Sequence, residues 1–242
     1  MGACPRFRNV LAHVRATRPD ITDPIAAIEE RRLLIDGVIV LSAAASIRSD
    51  AAIVLLPRSI LRGSVKLEAA LDGFELDVSD AVCLDLGAAA GGFTTVLIRR
   101  AARLVYALDA GVGQLRGDLR ANPRVVNLER TNLADARRVI PPDPPIDVVT
   151  ADLSYLSLSD ALPQLDGVVF AQVAHLVGLV KPMFELRRDR PPADERSLRT
   201  AVERAQRGAA AAGWRSEAWM ASPVPGATGA REFLIHAVRC VS

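Results

Sequence analysis

The chain has 242 residues, half of them hydrophobic and 24% charged, which allows a sizeable core and excludes disordered and collagen-like classes. A formal charge of +2 is compatible with a nucleic-acid partner without requiring one. Three scattered cysteines (Cys4, Cys83, Cys240) lack metal-ligand spacing, which argues against a zinc site or a disulfide scaffold and for a reducing, cytoplasmic setting.

Charges in the first twenty residues fall where a signal peptide needs an apolar centre, so export by that route is not expected. The front of the chain is read as a small appendage over 1–61. It comprises a helical, charged stretch from Pro24 to Leu34 and two short apolar runs, Gly37–Leu41 and Ala51–Leu56. The two runs are expected to pair with each other around Ser42–Asp50. From Asp80 onward, short apolar runs alternate with helical stretches. The expected strands are Ala81–Leu86, Leu104–Leu108, Arg124–Leu128, Ile146–Thr150, Leu176–Val180, Glu217–Met220 and Phe233–Val238. Phe93–Leu104 and Arg199–Ala212 read as helices. Such alternation predicts an α/β domain over 62–242, a mostly parallel seven-stranded sheet covered on both faces. The longest apolar stretch, Val168–Val180, contains Gln172 and His175 and falls short of the ~20 residues a bilayer span needs. His13, His175 and His236 lie far apart and are expected to be structural.

The most informative segment runs from Val82 to Thr94, VCLDLGAAAGGFT. A strand ends in Asp85-Leu86-Gly87, and small residues (Gly87, Ala88, Gly91, Gly92) let backbone approach a ligand. Phe93 then opens a helix. Asp109 closes the next strand, where an acid can accept both hydrogen bonds of a ribose diol. The loop is neither Gly-x-Gly-x-x-Gly nor a P-loop. Asp85 would repel a pyrophosphate but suit an ammonium group, so the expected ligand is S-adenosylmethionine, which has that group and no phosphate.

Several blocks together resemble one family. They are RGSVKLE from Arg62, DLGAAAGGFT, DAGVGQL from Asp109, ERTN ending at Asn132, DLSYLSL from Asp152, KPMFE from Lys181, and REFL from Arg231. In this order they are similar to the TlyA-type, or hemolysin A, group of FtsJ-like methyltransferases. The resemblance implies a Rossmann-like fold and transfer of a methyl group from S-adenosylmethionine to ribose 2′-hydroxyls of ribosomal RNA. It further implies a catalytic tetrad of Lys66, Asp152, Lys181 and Glu232. The implied cofactor-binding set is Asp85, Gly87, Ala88, Gly91, Gly92, Phe93, Asp109, Asn132 and Asp152, with no metal. The chain has 30 basic residues and only two lysines, Lys66 and Lys181. A blind choice of two basic positions would hit both about once in 435, so the match is not an effect of arginine-rich composition. Arginine cannot replace lysine where a proton must be lost or a compact ammonium is required.

Departures from the family pattern concern the substrate side. Met183 stands where glutamine is usual, Ala230 where asparagine is, and Leu186-Arg187-Arg188-Asp189-Arg190-Pro191-Pro192 replaces a glycine-valine-rich loop. The front segment resembles a degenerate ribosomal-type RNA-binding module, with Ile35–Val40 echoing its hairpin. Two further readings stay open at this level. One is a small-molecule substrate in the same pocket, methylated or rearranged. The other is a non-enzymatic RNA-binding or hemolysin-like protein.

Overall fold

The computed structural model describes residues 7–29, 33–36, 38–40, 42–55, 61–226 and 229–240. The chain packs as two units. One comprises residues 1–59 together with 116–118, and the other comprises 60–115 and 119–242.

The first unit contains β1 (Phe7–Asn9), α1 (Val10–Thr17), α2 (Pro24–Glu29), β2 (Leu33–Ile35), β3 (Val38–Ile39), β4 (Ser46–Arg48) and β5 (Ile53–Leu55). Asn9 caps α1, its side-chain oxygen accepting the Ala12 N–H at 2.7 Å. Val10, Val14, Ile28, Leu33 and Ile35 are buried together as a small core. Two expectations are corrected. The helix is described over Pro24–Glu29, and Leu33–Leu34, expected to close it, belong to the strand Leu33–Ile35, because three-stranded pairing overrides the local helical pattern. The two apolar runs do not pair with each other: β2 lies between β3 and β5, antiparallel to both. The intervening stretch instead supplies β4, which pairs with β1.

Beyond residue 60 the elements alternate. They are α3 (Arg62–Gly73), β6 (Val82–Leu86), α4 (Gly92–Arg99), β7 (Leu104–Leu108), α5 (Gly117–Arg120), β8 (Val125–Leu128), α6 (Ala136–Val139) and β9 (Ile146–Ala151). Then come α7 (Leu158–Ala161), β10 (Phe170–Val180), α8 (Pro182–Glu185), α9 (Glu195–Ala211), β11 (Arg215–Ala221) and β12 (Phe233–Cys240). The expected seven-stranded sheet is present, in the order β11-β12-β10-β9-β6-β7-β8. It is parallel from β10 through β8, with β12 inserted antiparallel between β10 and β11.

Helices cover both faces, so every residue of β6 is buried. Val82, Leu84 and Leu86 join one apolar layer with Leu198 and Val202 of α9. Cys83 faces the other layer, with Leu67 and Leu71 of α3 and Leu97 of α4. Each fully buried leucine contributes roughly 1.5–3 kcal/mol. His175 and His236 stack between β10 and β12, with Nδ1 of one 3.1 Å from Nε2 of the other. Among the described residues, no helix is long and apolar enough to cross a membrane.

The chain runs outward through β6, β7 and β8, then returns to place β9 and β10 on the other side of β6. This reversal opens a crevice beyond the strand ends at β6 and β9, where ligands bind in open α/β sheets.

Candidate active site

Three adjacent strand ends place three of the expected tetrad residues on this crevice. Asp152 follows β9 directly, Lys181 follows β10, and Glu232 immediately precedes the antiparallel β12. Lys66 comes from α3, whose spacing of Leu67, Ala70 and Leu71 turns one face onto the sheet and buries Lys66 beside it. The structure joins the four as two ion pairs. Lys66 Nζ donates to Glu232 Oε2 at 2.6 Å, and Lys181 Nζ lies 2.6 Å from Asp152 Oδ1. These are charge-assisted contacts at the short end of the usual range. The Lys66–Glu232 pair is almost sealed from solvent. Removing either partner would leave an uncompensated buried charge, at a cost of about 3–5 kcal/mol.

The loop after β6 forms the facing wall. Gly87 has φ +77°, and a Cβ there would meet the Asp152 carbonyl oxygen at 2.6 Å, so glycine lets the β6 and β9 loops touch. Gly91 has φ +89° and packs against Leu119, where a Cβ has no room. A cavity of about 260 Å³ is lined by Gly87, Ala88, Gly92 and Phe93 on this side and by all four tetrad residues on the other. Arg62, Ala89, Ala90 and Ser154 also border it.

Gly91, Asp85, Asp109 and Asn132 do not line this cavity. The Asp109 carboxylate accepts the Ala89 N–H at 2.8 Å and the Gly111 N–H at 2.7 Å, so it fixes the loop from its rim. Asn132 is exposed just beyond Thr131, whose N–H bonds the Asp109 carbonyl. Asp85 is buried beneath the loop. Its carboxylate accepts hydrogen bonds from Thr94 Oγ1 at 2.6 Å and Thr150 Oγ1 at 2.9 Å. Burial pushes its pKa up to about 6, against the downward pull of the two hydroxyls. Sequence reasoning did not single out this threonine clamp. Its members lie 9 and 65 residues from Asp85, and only the sheet register brings Thr150 opposite it.

A second cavity of about 220 Å³ shares Ser154, Lys181 and Glu232 with the first and is otherwise walled largely by Pro182, Met183, Phe184 and Pro191. Glu185 anchors this wall, accepting the Leu158 N–H and the Ser159 hydroxyl, each at 2.7 Å. One cavity therefore has a backbone-lined wall and the other is mainly apolar, and Lys181 and Glu232 stand where they meet. The loop from Asp85 to Phe93 carries no cation of its own, and its glycines bring backbone close to the space. Asp152 and Glu232 line the same cavity, so carboxylates as well as backbone are available there to a ligand that carries positive charge.

Comparison with known proteins agrees with this arrangement. The model of the family described as FtsJ-like methyltransferase matches residues 60–239. The chain is 38% identical to the 16S/23S rRNA (cytidine-2′-O)-methyltransferase TlyA of Mycobacterium tuberculosis, over 84% of this chain and 79% of that protein. It is 35% identical to Hemolysin A of Brachyspira hyodysenteriae, over 64% of this chain and 65% of that protein. The solved structure of a hemolysin-named protein from Lactococcus lactis superposes with a TM-score of 0.70 at 33% identity, covering 75% of this chain and 89% of that one. Fold, sequence blocks and family match coincide over the same part of the chain, which belongs to the FtsJ-like methyltransferase family, in its TlyA group.

Proposed function

We propose that the protein transfers a methyl group from S-adenosylmethionine to a ribose 2′-hydroxyl of ribosomal RNA, acting in the cytoplasm where ribosomes are found. The observation that carries this reading is the junction of the two cavities at Lys181 and Glu232, with Asp152 and Lys66 paired to them. Gly87, Ala88, Gly92 and Phe93 would hold the cofactor, with Asp109 and Asn132 at the ribose end of the loop. When bound, S-adenosylmethionine supplies an electrophilic methyl carbon on a sulfonium centre. Asp85 acts from below, through Thr94, by fixing the start of α4.

A ribose hydroxyl becomes an effective nucleophile when a positioned base shares its proton. Lys181, once its own ammonium proton has passed to solvent, would take that proton at Nζ while the oxygen–methyl bond formed and the methyl–sulfur bond broke, the sulfur leaving as a neutral thioether. Asp152 holds Nζ in place, and the Lys66–Glu232 pair fixes the hydroxyl from the opposite side. The apolar second cavity receives the rest of the nucleotide, and the ribosomal substrate is the one named for the Mycobacterium tuberculosis relative.

The test is incubation of purified ribosomal RNA and subunits with the protein and isotopically labelled S-adenosylmethionine, followed by mass mapping of nucleotides. A 2′-O-methylated nucleotide dependent on the protein is expected. Cofactor binding by calorimetry with no methyl on any RNA would overturn the ribosomal substrate and leave the methyl donor standing.

A further inference from the structure

Aromatic residues make up only 4% of the chain, and among the described residues only Tyr155 and Trp219 expose about half their surface, 51% and 49%. Tyr155 is three residues beyond Asp152, between β9 and α7. Trp219 lies far from it in sequence, on the sheet's edge strand β11, and the chemistry proposed above makes no use of it.

The register explains its position. β11 runs antiparallel to β12, with Ala221 opposite Phe233 and Trp219 opposite Ile235. Phe233 directly follows Glu232. The Trp219 ring meets the Phe233 ring edge-on, with centroids 5.7 Å apart and planes at 74°. The Arg231 guanidinium carbon lies 6.0 Å from the Phe233 ring, and Arg231 itself is paired with Glu195. Ala230 and Glu232 line the second cavity. Phe233 is itself buried, so the exposed group between these cavity residues and Trp219 is Arg231, half of whose side chain is open to solvent.

A single exposed hydrophobic residue is ordinary on a protein surface. Trp219 differs because its ring is braced by a buried phenylalanine and it stands one strand over from a tetrad residue. An indole held in this way offers a flat π-surface at low entropic cost, the feature that single-stranded RNA-binding surfaces use to stack bases. Arg231, although paired with Glu195, leaves half its side chain exposed beside that surface.

We propose that Trp219 stacks an unpaired base of the RNA next to the nucleotide being methylated, so that the substrate crosses the β11–β12 edge. This rests on the ribosomal-RNA reading above and adds a second point of contact outside the catalytic cavity.

The chain's two tryptophans provide a direct readout. Trp214 is buried and Trp219 is half exposed, so a stacking base should quench Trp219 emission alone. The full chain is titrated with a cytidine octaribonucleotide and, separately, with purified ribosomal RNA. Quenching is expected in the wild type and should vanish in Trp219→Phe, which retains only Trp214. In methylation assays Trp219→Ala should raise KM for ribosomal RNA roughly five- to a hundredfold, the range for loss of one stacked base, with a smaller effect on kcat. Trp219→Phe, which keeps a ring, should recover part of that loss.

In a protein that methylates ribosomal RNA, absent quenching together with unchanged KM in Trp219→Ala would overturn the proposal. So would a Trp219→Ala variant whose only change, by light scattering, is in self-association. If no RNA is methylated, the ribosomal reading fails separately. The octaribonucleotide titration then still decides the stacking surface: quenching supports it, and no quenching overturns it.

Discussion

The two lysines stand among 28 arginines, and each is held by a carboxylate beside the same space. Lys181→Arg keeps the positive charge and nearly the same reach, but arginine does not lose a proton in proteins. If Lys181 takes the hydroxyl proton, this variant should lose two to four powers of ten in turnover while calorimetry shows cofactor affinity close to wild type. Near-normal methyl transfer would make Lys181 an electrostatic group only. Asp85 gives a prediction in pH. Its folded pKa of about 6 lies above the value of 3.8 for a free aspartate. Between about pH 4 and pH 6 the folded chain keeps a proton that the unfolded chain has released, so this group's stabilisation is lost as pH rises through 6. Asp85→Asn should remove that dependence and be more stable than wild type at neutral pH, by roughly 3 kcal/mol at most. Urea unfolding of both proteins across this range would test it, and parallel curves would place the proton elsewhere. The four tetrad positions were legible only through the resemblance to the family, and the rarity of lysine supported two of them. The pairing of Lys66 with Glu232, 166 residues away, could not. Nor could the sealing of Asp85, which depends on which strand lies beside β6.

At the scale of elements, alternation and periodicity were enough to place the strands, and the misses lie at element ends. The expected strand from Leu176 begins at Phe170, because the strand continues through the polar Gln172 and His175 that interrupt the apolar run: Phe170 pairs with Ile146 of β9 and His175 with Val238 of β12. The helix expected from Arg199 begins at Glu195, where Asp194 accepts the Ser197 N–H at 2.8 Å, an N-cap legible in the sequence but not used. In the first unit, Leu33–Leu34 joined a strand because partners on both sides outweighed a helical pattern. Strand ends fixed by a neighbour leave little trace in their own residues. Ends fixed by backbone geometry leave more, as at Gly87. Gly87→Ala would place a side chain in the left-handed region, at roughly 1–2 kcal/mol, and press its Cβ against the Asp152 carbonyl. Reduced thermal stability and a clear loss of S-adenosylmethionine affinity by calorimetry are expected. Wild-type values for both would show that the two loops need not touch.

For the molecule as a whole, charge is divided unevenly between its parts. Residues 1–61 hold 8 basic and 6 acidic side chains, and residues 62–242 hold 22 of each, so the net +2 belongs to the front segment. A neutral part gains little from long-range attraction to a polyanion, whereas a front segment with net positive charge would, if it docks RNA, add phosphate contacts whose strength falls with salt. The small core around Val10, Val14 and Leu33 gives that segment apolar packing of its own. We therefore expect the fragment 62–242 to bind S-adenosylmethionine as the full chain does, but to methylate ribosomal RNA with a lower kcat/KM and a shallower salt dependence. The measurement is initial rate against RNA concentration at several ionic strengths, with cofactor affinity measured in parallel. Equal kcat/KM and equal salt slopes would remove residues 1–61 from RNA docking. A fragment that fails to bind the cofactor and unfolds at lower urea would show that the front segment supports the catalytic fold. A full-length chain with Arg8 and Arg15 changed to glutamine would then still separate docking from folding, since a docking role predicts a higher KM and a shallower salt slope with unfolding unchanged.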